Sequence, residues 1–418
     1  MNLPNYIAKI EGHGELNLDM ANNTARLSVH EGERLFEGMI VGRRYDETYW
    51  ITPRICGVCP IAHNLSCLAA VENAFGVTLS PAARSLRRIL LAAQNIQSHV
   101  LHLYFLALPE YLGADGGIEI AGKHPVHFKA AIALREFSDT VARVVGGRAV
   151  HPITPTVGGF HKTPSHDQLR ELLQAAQATR PHAEHSFHLA EGIEFPSLAH
   201  QTEYFATFSD DPHEYPHEGS SRIVSTKGVN EPIDKYTAVI KEIVKDYSTA
   251  KFGEHDGRGF MVGALARMKL VPERLLSPAR AMYERVHERF AAPNPYLNNL
   301  AQAIEINHFL AVIEKEVASL LENGTDDTLT PFTVRAGTGV GAVEAPRGTL
   351  YYELSFDENG IVTHSNIITP TVQNLTNIED DANAIMQTIA KNSSEEEKRN
   401  LIEALIRAYD PCLSCSTH

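Results

Sequence analysis

The spacing of hydrophobic and polar residues divides the chain into a β-rich start and a long helical body. Residues alternate between apolar and polar over 6–10, 15–20 and 24–30, with Asn22 and Asn23 as a turn signal. From Ser80 the apolar positions follow helical spacing, and Pro81 suits the first position of a helix capped by Ser80. The same spacing predicts helices over 127–146, 166–192, 233–250, 274–291, 297–322 and 395–408.

Strand-like alternation returns near the C-terminus. Residues 349–356 and 361–367 predict a hairpin across the turn at 357–360. The predicted fold class is therefore mainly α with small β-sheets near both ends (α+β). We expect one unit over 1–418, with a β region at 1–50, a helical body at 60–325, and a hairpin and tail at 345–418. The polar stretch 210–218 is expected to be a surface loop.

Charge and hydropathy exclude several classes of protein. The 37 Lys and Arg residues against 51 Asp and Glu residues give a net charge of −14, which argues against a nucleic-acid partner. Hydrophobic residues make up 43% and charged residues 21%, as in globular proteins. No apolar run reaches the roughly 18 residues of a membrane span, and residues 1–16 do not resemble a signal peptide. We expect a soluble protein.

The cysteines carry the candidate chemistry. An odd count of five in 418 residues argues against a disulfide framework. Four of them form two Cys-x-x-Cys pairs, Cys56 with Cys59 near the start and Cys412 with Cys415 at the end. Cys67 matches neither pair, and we predict that it packs in the core.

Two Cys-x-x-Cys turns supply four soft ligands, which favour a thiophilic transition metal. Structural zinc is a common occupant of such a site, but the pairs of a zinc ribbon lie much closer in sequence. Spacing alone leaves three alternatives open: structural zinc, a catalytic or redox metal, and a thioredoxin-type dithiol.

The residues around both pairs resemble a known family. The chain resembles the nickel–iron hydrogenase large subunit in both of that family's signatures. The first is Arg-x-Cys-Gly-x-Cys with His63, and the second is the terminal Asp-Pro-Cys-x-x-Cys-x-x-His. Further matches are Glu-Gly-His at 11–13, Phe-Glu-Gly at 36–38, Glu-Ala-Pro-Arg-Gly at 344–348 and Thr-Pro-Thr at 369–371. The chain looks closest to the cytoplasmic, bidirectional NAD(P)-linked enzymes and the sulfhydrogenases. The resemblance implies long central helices and termini that meet at the metal site.

By this resemblance, all four paired cysteines bind nickel. Cys59 and Cys415 would also bridge to an iron that carries one CO and two cyanide ligands. The implied reaction is the reversible heterolytic cleavage of H2 to two protons and two electrons. Cys412 would accept the proton as a terminal thiolate, and Glu11 would take it onward.

The resemblance also implies a second, hard cation, usually magnesium. Its ligands would be Glu37, His418 and the backbone carbonyl of Ile367. A carboxylate and a carbonyl suit Mg²⁺, whereas imidazole is a less typical ligand, which leaves the identity of this ion open.

Further residues are expected to surround the nickel–iron centre. Arg347 would lie on the iron side and donate to cyanide. Many respiratory relatives carry an aspartate where this chain has Ser98, so we expect Asp410 to be the carboxylate beside Arg347. The other implied neighbours are His63 as a donor to a bridging sulfur, Thr371 as a donor to the second cyanide, and Pro346.

Electron transfer is expected to need partners. Once four cysteines bind nickel, Cys67 alone cannot hold an iron–sulfur cluster, and no dinucleotide-binding glycine motif is present. We expect an iron–sulfur small subunit and flavin-containing diaphorase subunits that lead to NAD(P). The end at His418 matches the form left by the family's maturation protease. The subclass resemblance places the protein in the cytoplasm.

Two other interpretations remain. The chain could be a non-enzymatic subunit with a structural zinc site made of the four paired cysteines. It could also be the related quinone-binding subunit of respiratory complexes, a lineage that has generally lost these thiolates. Of the 21 histidines, three lie at positions 182, 185 and 188, but their local sequence supplies no ligand set and predicts no site.

Overall fold

The computed structural model describes residues 6–325, 328–388 and 393–418. Within them the helices are α1 Phe36–Ile40, α2 Tyr45–Ile51, α3 Pro60–Phe75, α4 Pro81–Leu101, α5 Gly117–Lys123, α6 Pro125–Gly146, α7 His166–Glu191, α8 Tyr236–Val239, α9 Ala264–Leu270, α10 Ala279–Val286, α11 Asn298–Asn323, α12 Pro370–Gln387, α13 Glu395–Ala408 and α14 Leu413–Ser416. None of these helices combines the length and the apolarity that a bilayer crossing requires.

The strands form small sheets along the chain. They are β1 Gly14–Asp19, β2 Thr24–Val29, β3 Pro155–Thr156, β4 Gly159–Phe160, β5 Glu203–Phe208, β6 Arg222–Ser225, β7 Asn230–Pro232, β8 Lys241–Ile243, β9 Phe252–Glu254, β10 Phe260–Met261, β11 Gly337–Ala345, β12 Gly348–Phe356 and β13 Val362–Ile368. The largest sheet has the order β10-β5-β6-β7, and the next has the order β11-β12-β13.

Long helices form the centre of the molecule. Helix α11 packs against both α4 and α7, and α6 packs against the same two helices. Their predicted positions are confirmed, and the start of α4 is capped as expected, because the Ser80 hydroxyl accepts a hydrogen bond from the N–H of Ala83 at 3.1 Å. One core of buried side chains extends from Ile7 to Leu413.

The predicted C-terminal hairpin is confirmed, and a third strand joins it. Strands β12 and β13 pair antiparallel, and β11 pairs along the other edge of β12. The glycine-rich β11 was not predicted, because glycine weakens strand propensity. Its glycines are needed for packing, since a Cβ at Gly341 would overlap the carbonyl oxygen of Ser66 in α3. This close contact joins the sheet to the helix that follows Cys59.

Three sequence predictions are wrong in part. Residues 6–10 form only an isolated bridge between Tyr6 and Glu15 rather than a strand. The helix predicted over 233–250 is reduced to α8, because the chain becomes extended at Ile240 and β8 pairs with β9. The β-branched residues of that segment favour the strand. Helix α10 begins only after Pro278, which cannot donate a helical hydrogen bond.

Helices and strands are mixed within the segments near both ends of the chain. The segment 1–50 contains α1 and most of α2 beside its strands, and 345–418 contains α12 and α13. The four-stranded sheet lies in the middle of the chain, away from both ends. In the predicted surface loop 210–218, residues 210–213 are exposed, but residues 215–218 are buried.

Candidate metal centre

Each Cys-x-x-Cys pair lies at the start of a helix. Cys59 precedes α3 and Cys412 precedes α14, while Cys56 follows a turn of 3₁₀ helix at Thr52–Ile55. The Sγ atoms of Cys56 and Cys412 lie 3.4 Å apart, as do those of Cys59 and Cys415. All four Sγ atoms lie within 4.8 Å of one another, and all four residues are buried. The structure thus brings together both predicted pairs.

The N-terminal segment holds the C-terminal pair in place. Glu11 and Cys412 form a parallel bridge, in which the N–H of Leu413 donates to the carbonyl of Glu11 at 3.0 Å. The next residue, Gly12, has a φ of +85°, and a Cβ there would lie 2.8 Å from the Cβ of Leu413. Glycine is therefore required at this contact.

Arg34 connects the two cysteine motifs and was missed by sequence reasoning. Its Nη2 donates to the carbonyl of Ile55 at 2.8 Å and to the carbonyl of Ser414. Its backbone N–H also donates to the carbonyl of Thr417 at 3.2 Å. Arg34 lies outside the family signatures, and nothing in the sequence around it indicates which loops its side chain contacts.

The donor set fits a thiophilic metal. Burial, and then the neighbouring cysteines, raise the pKa of the Cys415 thiol well above its ordinary value, whereas hydrogen bonds from the other cysteines outweigh burial and lower the pKa of Cys56. The sulfurs therefore cannot all be charged in this dry site without repelling one another. A cation among the four sulfurs offsets this repulsion. Cys67, by contrast, is a core residue as predicted, and burial raises the pKa of its thiol to about 11.

Glu11 lies beside the second pair. Its carboxylate accepts hydrogen bonds from the backbone N–H of Ser414 at 3.1 Å and from the Ser414 hydroxyl. Burial, and then the charge of the Cys412 thiolate, raise the pKa of Glu11 to about 8. A carboxyl group with such a pKa can both take up and release a proton near neutral pH.

Arg347 is buried between Asp410 and Ser98. Its Nη2 donates to a carboxylate oxygen of Asp410 at 2.8 Å, its Nε donates to the Asp410 carbonyl at 2.7 Å, and its Nη1 donates to the Ser98 hydroxyl at 3.0 Å. Burial alone would lower the pKa of Arg347, but Asp410 and the thiolates raise it above its ordinary value. The guanidinium is therefore a fixed positive charge, and Asp410 is its carboxylate neighbour.

A buried ionic network supports the Arg347 loop and was also missed. Arg267 donates to Glu305 through Nε at 2.6 Å and Nη2 at 2.7 Å, and to Glu344 through Nη1 at 2.8 Å. The same guanidinium donates to the carbonyls of Ala345 and Pro346 at 3.2 and 3.3 Å. Pro346 thus takes part in this network through its backbone carbonyl, and Arg267 fixes the two residues that precede Arg347.

Two other predicted residues contact the cysteine motifs. The Thr371 hydroxyl accepts a hydrogen bond from the N–H of Cys412 at 3.0 Å. Nε2 of His63 lies 3.8 Å from Sγ of Cys415, and its Nδ1 lies 2.6 Å from the hydroxyl of Tyr352. Burial, and then His418, lower the pKa of His63 to about 3, so the imidazole is neutral. When the Tyr352 hydroxyl donates to Nδ1, the Nε2–H of His63 points to the sulfur.

The three residues predicted to hold a second cation also lie together. Nε2 of His418 is 2.9 Å from the carbonyl oxygen of Ile367 and 3.9 Å from Oε1 of Glu37. The N–H of Ile367 donates to the same Glu37 oxygen at 2.6 Å. Carboxylate, carbonyl and imidazole thus converge at the end of the chain.

Comparison with known proteins identifies the family. The family model described as "Nickel-dependent hydrogenase" matches residues 34–114 and 191–418. The chain belongs to the nickel-dependent hydrogenase family. It is 34% identical to sulfhydrogenase 1 subunit alpha of Pyrococcus furiosus, over 99% of this chain and 96% of that relative. It is 30% identical to the NAD-reducing hydrogenase HoxS subunit beta of Cupriavidus necator, over 99% and 93% of the two chains.

A solved structure gives the same result for the fold. The crystal structure of an NAD+-reducing [NiFe]-hydrogenase in the H2-reduced state matches with a TM-score of 0.88 at 28% identity, over 99% of this chain and 98% of that one. The fold is that of the nickel–iron hydrogenase large subunit, as predicted. The chain is the catalytic, large subunit of a multi-subunit hydrogenase, an oxidoreductase that acts on H2, and its four clustered cysteines fit a nickel–iron centre.

Proposed function

We propose that this large subunit catalyses the reversible heterolytic cleavage of H2 to two protons and two electrons, and that it passes the electrons on towards NAD(P). The observation that carries the proposal is the buried cluster of four thiols contributed by both ends of the chain. When bound, the nickel–iron centre supplies the polarisation that separates H2 into its charged halves. The residues of the chain bind this centre and move the proton.

We assign the four thiolates to nickel, with Cys59 and Cys415 also bridging to an iron that carries one CO and two cyanide ligands. The sulfurs of Cys59 and Cys415 lie close enough to share one ion, at 3.4 Å, although those of Cys56 and Cys412 lie equally close. The neutral His63 supports the assignment, because an N–H donor beside Cys415 stabilises negative charge on that sulfur. Cys56 and Cys412 are then the terminal ligands.

We assign the proton path to Cys412 and Glu11. The Cys412 thiolate would accept the proton that leaves H2, the electron pair of the broken H–H bond would stay with the metal centre, and the Glu11 carboxylate would then take the proton from the sulfur. The two hydrogen bonds from Ser414 hold the Glu11 carboxylate beside the Cys412 loop. A pKa of about 8 for Glu11 suits proton transfer in both directions.

We propose that Arg347 and Thr371 donate hydrogen bonds to the two cyanide ligands of the iron. Arg347 presents a permanent positive charge that attracts cyanide, and the Asp410 carboxylate fixes its orientation. The Thr371 hydroxyl already accepts from the N–H of Cys412, so its own proton is available to the second cyanide. Pro346 keeps the Arg347 loop in place through its carbonyl.

We further propose a second cation at Glu37, Ile367 and His418. The convergence of the three groups supports the site, and the carboxylate and carbonyl favour magnesium. The cation would neutralise Glu37 and fix the last residue of the chain beside the metal-binding tail.

The electrons leave through other chains. The described part of this chain offers no cysteine besides Cys67 outside the four-cysteine cluster. An iron–sulfur small subunit must therefore accept the electrons. Similarity to a NAD-reducing hydrogenase supports flavin-containing diaphorase subunits, NAD(P) as the final acceptor and a cytoplasmic location. We also propose a maturation protease among the partners of this chain, and a single structural unit over 1–418.

Metal analysis and infrared spectroscopy of the purified enzyme test this proposal together. We expect nickel and iron in equal amounts, with bands from CO and cyanide. Cys412→Ser should lose the nickel, whereas the matched control Cys67→Ala should keep both metals and all bands. One zinc ion with no such bands would instead establish the structural-zinc alternative.

A further inference from the structure

Five histidines gather between α6 and α7. His124 and His127 lie at the start of α6, and the rings of these two residues stack with centroids 5.4 Å apart. On α7, positions 182, 185 and 188 follow helical spacing along one face of the helix. His185 is the member that meets the other helix, because its ring centroid lies 5.0 Å from that of His127. We call these five residues the histidine cluster.

Two nitrogens of the histidine cluster face each other directly. Nδ1 of His127 lies 2.8 Å from Nε2 of His185, so one of these nitrogens carries the shared proton and donates it to the lone pair of the other. A zinc ion bound tetrahedrally to two imidazoles at about 2.0–2.1 Å separates their nitrogens by roughly 3.3 Å. A cation could therefore replace the shared proton after a movement of about half an ångström.

The surroundings provide space for water beside the two nitrogens. A cavity of about 510 Å³ borders the pair and is also lined by His188 and Glu194. Burial lowers the pKa of both His127 and His185, so their imidazoles are neutral and hold lone pairs at neutral pH.

We propose that the histidine cluster binds one borderline divalent transition-metal ion, of the Zn²⁺, Ni²⁺ or Co²⁺ class, through Nδ1 of His127 and Nε2 of His185. Water from the cavity completes the coordination, because among the described residues no third histidine, cysteine or carboxylate places a ligand atom within 4.8 Å of both nitrogens. Imidazole donors select such ions over Mg²⁺ or Ca²⁺. The ion joins two of the long helices and does not belong to the four-cysteine centre, since it uses none of the residues assigned there.

Titration with Zn²⁺ tests the proposal on the enzyme purified with its partner subunits and with its nickel–iron centre filled. Calorimetry should detect one additional equivalent of bound zinc, and zinc-edge X-ray absorption should show nitrogen and oxygen ligands without sulfur. Both His127→Ala and His185→Ala should lose this equivalent and keep H2-oxidation activity. His166→Ala, an exposed histidine at the start of the same helix, is the matched control and should bind zinc as the unmodified enzyme does.

Three results would overturn the proposal. One is the absence of any additional equivalent of zinc. Another is equal binding in the His127→Ala and His185→Ala variants, which would show adventitious binding elsewhere. The third is sulfur in the first coordination shell, which would place the zinc at cysteine. Because the nickel and iron contents are measured in the same samples, none of these results would bear on the hydrogenase centre.

Discussion

Glu11 and Ser414 are joined twice, through the backbone N–H of Ser414 at 3.1 Å and through its hydroxyl. The two residues come from opposite ends of the chain, and Ser414 lies between the two cysteines of the second pair. The contact therefore holds a titratable carboxyl group beside a predicted ligand of nickel. It also makes the position of the C-terminal tail depend on the N-terminal segment.

We predict that Glu11→Gln blocks proton exchange and leaves the metals bound. Glutamine retains the shape of the side chain but cannot carry a proton away from Cys412. In H2/D⁺ exchange measurements, the unmodified enzyme should show an apparent pKa near 8 that the variant lacks. The carboxylate form dominates above this pH, so proton uptake from Cys412 should increase as the pH rises through it.

The control for this experiment is Glu15→Gln, a carboxylate in β1 that lies 3.4 Å from His30. This variant should exchange at the normal rate, with the same pH dependence. If Glu11→Gln exchanges at that rate too, Glu11 is not in the proton path. Nickel and iron contents in both variants separate a lost proton carrier from a lost metal centre.

We predict that Asp410→Asn destabilises the protein more than Ser98→Ala. The first change leaves the buried Arg347 without its carboxylate, which typically costs about 3–5 kcal/mol. The second removes one hydrogen bond to a charged group, worth about 1.5–3 kcal/mol. Thermal unfolding of the two variants measures the order, and the exposed pair of Asp167 and Arg170 supplies a control, Asp167→Asn, which should be nearly neutral.

We predict that Arg267→Lys lowers stability and activity together. Lysine cannot reproduce the planar set of donors that reaches Glu305, Glu344 and the carbonyl of Pro346. The free energy of unfolding should fall by about 3 kcal/mol or more, because Glu305 and Glu344 would lose part of the hydrogen bonding and charge pairing that offset their burial. Arg170→Lys, at an exposed ion pair, should change the free energy of unfolding by only about 0.5 kcal/mol. Equal melting temperatures for the two variants would contradict this role of Arg267.

We predict that Arg34→Ala weakens the hold on nickel. The change removes the side chain that binds the carbonyls of Ile55 and Ser414, so the two cysteine loops can separate. Supporting residues of this kind change metal affinity roughly 10–100-fold. Nickel retained after incubation with a chelator should fall in Arg34→Ala and stay normal in Arg43→Ala, an exposed arginine.

Local patterns predicted the parts of the fold that short-range interactions decide. Apolar spacing predicts helices α4, α6, α7, α11 and α13, and the Ser80 cap marks the start of α4, because both signals are set by neighbouring residues. The segment 233–250 has helical spacing too, yet pairing between β8 and β9 determines its conformation. Strand β11 was missed because its glycines serve a contact with α3, about which the local sequence carries no information.

The residues of the candidate site also fall into two groups, those that the sequence predicts and those that only the structure reveals. The cysteine motifs and the residues beside them could be recognised in sequence, because metal binding demands particular donors at fixed spacing. Arg34 and Arg267 could not be recognised, since each acts through backbone carbonyls that any residue type can present. The facing nitrogens of His127 and His185 were equally hidden, because two different helices contribute them.

The sequence by itself thus determined the donor set of four thiols, the family resemblance and the need for a partner that carries electrons. Only the tertiary structure decided which sulfurs face each other, and that Arg34 and Arg267 hold the loops around them. The physical reason is distance along the chain. Contacts such as that between Cys59 and Cys415, 356 residues apart, form only when the whole core has folded around them.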